Sequence, residues 1–456
     1  MNKKYRVLKY LKPSIIVTMF SIFSGDVFAE RLNIEGDHYM PMFITPEKST
    51  GLAGVIVVYD IEKVTIKYKT KTPEALKISY FSNLGAAYNS PLESINYDGE
   101  YVVIDHPLGD VGYIFESDDL IEYYWVVDYS KHRYYPYSLE ISYPTECEET
   151  SLIFSGEASA INYYSINGRK ETLSRDLELS YNTLEFDEES KQFVEIEYKK
   201  NIAAINESIS IIPAITCQSV FNLKGDRFLS YWNQEMSTET SLLTPVATIV
   251  KTEAITENST DGTVDSSNQI TSNTDGLGGS APATISFLSY ISDAVIHCEW
   301  QMANDESFED ILYRFNQQDL TYTFTSEGTT FVRFIGSNSD GSCESYSETY
   351  TVEIGSSELQ IPNAFSPNGD GINDEWKVSY RSIIDFKCWI FDRQGNELFY
   401  FTDPNIGWNG KSKGKSVPSG VYYYVINATG SDGKKYKKSG DINIIKSKGQ
   451  FSSSDQ

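Results

Sequence analysis

The sequence predicts an all-β protein: serial immunoglobulin-like β-sandwich domains that end in a small β-sandwich. Three features predict it. Short alternating or wholly apolar runs recur between turn signals along most of the chain. The 33 Tyr and 23 Phe suit strands, because flat rings pack well on a pleated surface. Runs with helical periodicity are scarce, and periodicity is the main secondary-structure signal in a sequence. At about 100 residues per sandwich, 456 residues suit three or four such units.

Residues 1–29 read as a secretory signal peptide. Lys3, Lys4, Arg6, Lys9 and Lys12 form a basic n-region, residues 15–23 are apolar, and Val27 and Ala29 occupy the small-residue positions of a cleavage site. The apolar stretch is shorter than the about 20 residues that a bilayer span requires. No later segment is apolar enough to span a membrane, and no Cys near the cleavage site suits a lipid anchor. The mature chain is expected to begin near Glu30 and to be exported whole, with no transmembrane segment after signal cleavage.

Residues 30–145 read as a first sandwich, with strands in GVIVVYDI, KVTIKYKT, LKISYF, GEYVVIDH, IEYYWVVDY and SLEISYP. Turn signals such as Asp98-Gly99 divide them. Residues 146–250 read as a second β domain, with strands in SLIFSG, INYYSI, LELSYNTLEF, FVEIEYK and ISIIPAI. Asn167-Gly168 fits a type I′ hairpin turn, whose two central residues need positive φ. Loops are expected at 183–189 and 222–227, and a short helix fits 227–234. Residues 251–282 are rich in Ser, Thr, Asn, Asp and Gly. Such a segment buries too little surface to offset its ordering entropy. It reads as a linker, although a long loop inside a β domain has the same texture.

Residues 283–356 carry ATISFLSY, HCEWQMA, YTFTSEGTTFVRFIGSNSDGSC and ETYTVEI. Trp300 is expected as the core aromatic of a central strand, and the insert NDESFEDILYRFNQQ fits a helical turn. The order of these pieces resembles a PKD domain, an immunoglobulin-like module frequent in extracellular bacterial proteins.

Residues 357–446 hold a turn-dense loop at 363–374, a hairpin from 386–391 to 397–401, the corner Trp408-Asn409-Gly410, and a Tyr-rich strand opened by Pro418-Ser419-Gly420. Alternation places Tyr422, Tyr424 and Ile426 on one face of that strand and Val421, Tyr423 and Val425 on the other. With both faces apolar, the strand is expected to be central. In combination these motifs resemble the gliding-motility-associated C-terminal domain, the type B sorting domain of the Bacteroidota type IX secretion system. The matching positions are Pro367, Asn368, Gly369, Asp370, Gly371, Asn373, Asp374, Trp408, Asn409, Gly410, Gly420 and Tyr422. Gln394 stands where the family commonly has Trp, and residues 447–456 extend past the family's usual end as a disordered tail. The resemblance implies an address: type IX machinery as partner, passage through the periplasm, and delivery to the outer-membrane surface or the medium.

Charge divides the chain the same way. Residues 30–360 carry 20 Lys/Arg against 53 Asp/Glu, whereas residues 361–449 carry 13 against nine. The acidic body excludes nucleic acid as its partner, because phosphate binding needs a basic surface. The five cysteines include no C-x-x-C pair, and export permits disulfides. The expected pairs are Cys147 with Cys217 and Cys298 with Cys343, each inside one unit, with Cys388 left as an inert buried thiol.

Candidate chemistry is sparse. The oxygens of Asp370, Asn373 and Asp374 lie in a Gly-turned loop that resembles half of a calcium site; Asp and Asn in turns also bond local backbone without any ion. No other cofactor is indicated. The four His have no metal spacing, and no nucleophile elbow, P-loop or dinucleotide fingerprint is present. Acidic pairs such as Asp118-Asp119 and 187–189 are numerous, and sequence alone selects no catalytic pair, because the required separation of about 5–10 Å is spatial. Tyr123-Tyr124-Trp125 and Tyr134-Tyr135-Pro136-Tyr137 fit either strand cores or a glycan-stacking surface. The expected function is a surface-displayed binding or structural protein, adhesin-like, with a glycan or protein ligand. The alternatives are a secreted hydrolase with catalytic carboxylates in 30–235, and an envelope or gliding-motility component.

Overall fold

A computed structural model describes residues 31–86, 89–117, 120–256, 268–270 and 276–445. The expected signal peptide, Asp118-Asp119, residues 257–267 and 271–275 of segment 251–282, and the tail after 445 lie outside the described residues. The chain is all-β, with four sandwiches in sequence and one α-helix, Arg227–Tyr231, among the described residues.

The first sandwich packs a four-stranded sheet on a six-stranded one. The four-stranded sheet runs Leu32–Glu35, Thr65–Lys69, Tyr101–Ile104 and Asn96–Asp98. The six-stranded sheet runs Met42–Ile44, Gly54–Val58, Leu120–Asp128, Val111–Ser117, Lys77–Phe81 and Ser90–Pro91. Within it, Gly54–Val58 and Leu120–Asp128 pair in parallel. Every residue of Gly54–Val58 is buried, and the alternation of a strand explains why two partners are needed. Ile56 and Val58 enter the core between the two sheets with Tyr124 and Val126. Val55 and Val57 point the other way, with Trp125 and Val127, into a core that also contains Leu152, Phe154, Leu179 and Leu223 of the next unit. A sheet covered on both faces reads as an unbroken apolar run, and GVIVV is that run.

The second sandwich has a three-stranded sheet of Tyr135–Ile141, Thr150–Glu157 and Ser208–Ile211. Opposite it lies a four-stranded sheet of Gln192–Ile202, Leu177–Asp187, Asn222–Gly225 and Met236–Glu239. Three expectations change here. The unit begins before 146, because Leu139 and Ile141 pair across to Phe154 and Leu152. Residues 183–187 and 222–225 are strand, not loop, since both segments pair with their neighbours over their length. The Asn167-Gly168 hairpin forms, but only Gly168 takes positive φ, at 79°. The Gly168 amide donates to Ser165 at 2.9 Å, and an added Cβ would meet the Gly85 Cα at 2.4 Å. The short helix is present at Arg227–Tyr231, capped where Asp226 accepts the Leu229 amide.

One polar cluster joins these two units. The Arg175 guanidinium donates at 2.6 Å to Asp226, to the Ser159 carbonyl and to the His132 carbonyl. The Tyr129 hydroxyl donates to the same Asp226 carboxylate at 3.0 Å. Arg175 and Asp226 are each 1 % exposed. Buried charges persist only when paired and hydrogen-bonded, and this pair meets both conditions.

The third sandwich starts at 250, so the expected linker is partly strand. Val250–Thr256 pairs with Ala283–Ile291, which pairs with Leu320–Phe324. The facing sheet contains Leu277–Gly279, Tyr350–Ile354, Gly328–Ser337, His297–Ala303 and Ile311–Phe315, with Glu344–Tyr346 on a further edge. The ladder that Val250–Thr256 makes outweighs its polar composition. The insert expected to hold a helical turn holds the strand Ile311–Phe315 instead. Trp300 is fully buried against Phe287 and Phe334, as expected.

The disulfide pairing differs from the expected one. Cys147 bonds Cys343, across 196 residues, and Cys217, Cys298 and Cys388 are free. The pairs Cys147 with Cys217 and Cys298 with Cys343 are not formed. The reason is spatial: the loop carrying Cys147 lies against the turn at 338–343, where Cys147 also approaches the Ser342 carbonyl. The chain-entropy model gives about 5 kcal/mol for closing so long a loop.

Removing one member of the buried ion pair leaves an uncompensated charge, so Asp226→Ala is expected to destabilise the first two units by about 3–5 kcal/mol. Urea denaturation of the full mature chain checks this, read by the shift in the midpoint of the transition that reports Trp125 and Trp232 burial.

Candidate functional site

The C-terminal unit carries the candidate site. Its main sheet runs Ala364–Phe365, Lys435–Ile444, Gly420–Gly430, Ile383–Phe391 and Glu397–Phe401. Gly420–Gly430 is central, as its composition required. Tyr422, Ile426 and Ala428 are buried with Phe386, Cys388 and Ile390. Burial pushes the Cys388 thiol up to about 12, which fits an inert core cysteine.

The corner motif is built into this core. Trp376 and Trp408 are fully buried and exchange backbone hydrogen bonds at 2.9 and 3.0 Å. The Trp408 indole donates to the Lys411 carbonyl at 2.9 Å, and the Trp376 indole to the Pro362 carbonyl at 2.7 Å. Tyr422 meets Trp408 edge-on at 5.3 Å between ring centroids, and its hydroxyl donates to the Pro418 carbonyl at 2.8 Å. Asn409 accepts the Lys411 amide. Gly410 has φ 73°, with Phe365 and Pro367 both 3.3 Å from where a Cβ would stand. A side chain there meets both strain and crowding, which accounts for the glycine.

The loop around Asn368, Gly369, Asp370, Gly371, Asn373 and Asp374 folds around one carboxylate. Asp374 accepts the amides of Asn368 at 2.8 Å, Gly369 at 2.6 Å and Gly371 at 2.7 Å. Asp370 accepts the Ile372 amide and the Asn368 side chain. The amides of Gly369 and Gly371 hold the Asp374 carboxyl below its ordinary range, helped by Asn368. The Asp370 and Asp374 carboxylates proposed for calcium are therefore engaged with the loop's own donors, and the Asn373 backbone carbonyl accepts the Ser366 amide. Among the described residues, no group of three or more His, Cys, Asp or Glu is placed to hold a metal ion. Gln394 is exposed on a turn organised by Asp392, which accepts the amides of Gln394 and Asn396.

The other candidates separate. Tyr124 and Trp125 are core residues, whereas Tyr135 and Tyr137 are exposed with rings 5.3 Å apart. His132 approaches Asp110 at 2.9 Å, while the Ser130 hydroxyl donates to Asp128. Asp187 caps its own hairpin turn by accepting from Ser190. A cleft of about 510 Å³ between the second and third units is lined by Phe193, Cys217, Tyr290 and Gln318, among others. Burial pushes the Cys217 thiol up to about 11. No sequence signal pointed to this cleft, because its two walls lie in different units.

Two family models match parts of the chain. Residues 359–444 match the CHU_C type IX secretion signal domain. Residues 140–241 match a fibronectin type III domain, which is the second sandwich. Residues 250–356 are immunoglobulin-like in form, the coarser part of the PKD resemblance. No curated protein matches the sequence. Among solved structures, the tetra-tandem repeat in the extending region of a large adhesion protein is 11 % identical, with 86 % of this chain and 98 % of that chain covered at TM-score 0.21. The chicken CNTN1 FN1–FN3 domains are 12 % identical, covering 68 % and 98 % at TM-score 0.23. Dimeric latent PorU from Porphyromonas gingivalis is 11 % identical, covering 73 % and 36 % at TM-score 0.15. A type IX secretion signal implies recognition by the type IX machinery and export to the cell surface or extracellular space. No helix among the described residues is long and apolar enough to cross a membrane.

The depressed Asp374 carboxyl gives a pH signature. Its contribution is present above the unfolded value of about 3.9 and is lost as pH falls through the lower native value. Asp374→Ala is expected to lower the melting midpoint at pH 7, with a smaller difference from wild type at about pH 3, below the unfolded value. Scanning calorimetry at the two pH values checks this.

Proposed function

We propose that this is a surface-displayed binding or structural protein, adhesin-like, whose C-terminal domain is its address. The observation that carries the proposal is the signal domain itself. The matched residues 359–444 form a complete small sandwich with the Trp408 corner at its centre. The body in front of it supports a role in display. Each junction between units is fastened. The first two share a core and the cluster at Asp226. The second and third share the disulfide and the contact of Phe186 with Tyr290. The third and fourth share hydrogen bonds from the Ser382 amide to Ser280 and from the Ala281 amide to Ser382. Such continuity suits a protein that holds a ligand at a distance from the cell. The exposed pair Tyr135 and Tyr137 is the candidate contact for a glycan or protein ligand.

Deleting residues 357–456 is expected to leave the protein in the periplasm of a bacterium with a type IX system, as read by surface proteolysis and fractionation. Surface delivery of the truncated chain would remove the address reading. The purified mature chain is expected to bind on glycan or extracellular-protein arrays without turnover. Tyr137→Ala is expected to weaken that binding at least fivefold while leaving the melting midpoint unchanged.

A further inference from the structure

The main sheet of the C-terminal domain has two apolar faces, and the fold covers one. Tyr422 and Ile426 face the core. Val421, Tyr423 and Val425 alternate with them and are 46, 45 and 38 % exposed. The exposed face extends across neighbouring strands. Trp389 lies opposite Val425 on one side and Tyr400 on the other, and Phe391 lies opposite Tyr423. Trp389 and Phe391 are half-buried, and Tyr400 is 43 % exposed. These six side chains form one contiguous patch on a single sheet face, and a contiguous exposed apolar patch marks an interaction site.

The rim is polarised. Lys387 and Lys437 flank Asn427 in the next row, with Lys435 beyond, opposite Thr429. Asp385 shares that last row. At the other end, Glu397 lies opposite Phe391 and Asp441 opposite Tyr423. All three lysines are exposed, and none is paired with a carboxylate among the described residues. Charges of opposite sign at two ends fix the orientation of a partner more than they add affinity.

Composition selects the class of partner. Trp389 and Tyr400 pack against each other, with ring centroids 5.2 Å apart and planes 33° apart. Trp and Tyr set among aliphatic side chains are enriched at the centres of protein interfaces.

We propose that this face is the surface on which a protein component of the type IX machinery docks. The partner's contact surface has an apolar centre, with carboxylates set against Lys387, Lys435 and Lys437. The proposal rests on the reading of this domain as the address. It adds which surface is read. The remaining sides support the assignment. The inner face is filled by Trp376, Trp408 and Tyr422. The end carrying Ser382, Ser357 and Asp432 is engaged within the chain, partly by the third unit.

The test compares four forms of the full chain in a bacterium with a type IX system: wild type, Tyr423→Lys with Val425→Lys, the control Ile372→Lys with Ile406→Lys on other exposed positions of the same domain, and the deletion of 357–456. The face variant is expected to lose at least tenfold of its surface-displayed fraction and to accumulate in the periplasm. The control is expected to stay within twofold of wild type, and the melting midpoints of the purified full-length forms within about 3 °C. If the lysine pair unfolds the domain, Tyr423→Ser with Val425→Ser replaces it, with at least threefold loss expected. Normal display of a folded face variant, with the deletion retained inside, overturns the docking face and leaves the address standing. Equal loss in the control also overturns it. So does sedimentation of purified wild type as a dimer that the face variant converts to monomer, since a second copy would then be the occupant. Protection of Tyr423 from solvent that is lost on removing residues 446–456 would overturn it likewise.

Discussion

The structure depends on a buried charge pair set between two sandwiches. Arg175 and Asp226 would each be costly inside protein alone. Together with Tyr129 and two backbone carbonyls they satisfy one another. The geometry leaves little choice in how the first two units meet, because the donors come from both sides. The six-stranded sheet enforces the same register by apolar means. Its second face, with Val55, Val57, Trp125 and Val127, shares its core with the fibronectin-type unit. Neither unit completes its burial without the other, so the two form one folding entity.

Beyond that entity, the units are joined by lighter devices. The third sandwich meets the second through aromatic contact and one covalent bond, with a cleft between them. The signal domain meets the third through serines and backbone amides, and through Asn268, whose side chain donates to the Val378 and Pro404 carbonyls at 2.9 Å. Polar junctions of this kind resist separation less than a shared core does. The chain therefore grades from a fused N-terminal pair to a more separable C-terminal address.

What the sequence disclosed was local. The Trp408-Asn409-Gly410 corner was legible because its indole, amide and left-handed glycine contacts all close within a few residues. The faces of the strand at 420–430 were legible because period-2 alternation fixes them. Whether a face was covered was not legible, and Val421 and Val55 make the contrast. Both sit in apolar runs, yet one is exposed and the other has a second domain against it. Cysteine pairing failed for the same reason. Cys147 and Cys343 become neighbours only after two units dock, and no spacing rule reports docking. Segment 251–282 misled through composition, since the ladder of Val250–Thr256 supplies what its side chains lack.

The bond between Cys147 and Cys343 closes a covalent ring over the 195 intervening residues. A single cut at any peptide bond inside that ring changes the chain's connectivity without dividing the molecule. The N-terminal sandwiches and the signal domain would remain one covalent object. Outside the cell, where proteases meet displayed proteins, a nick between the two cysteines would leave the body tethered to its address, and release would need a second event, reduction or another cut outside the ring.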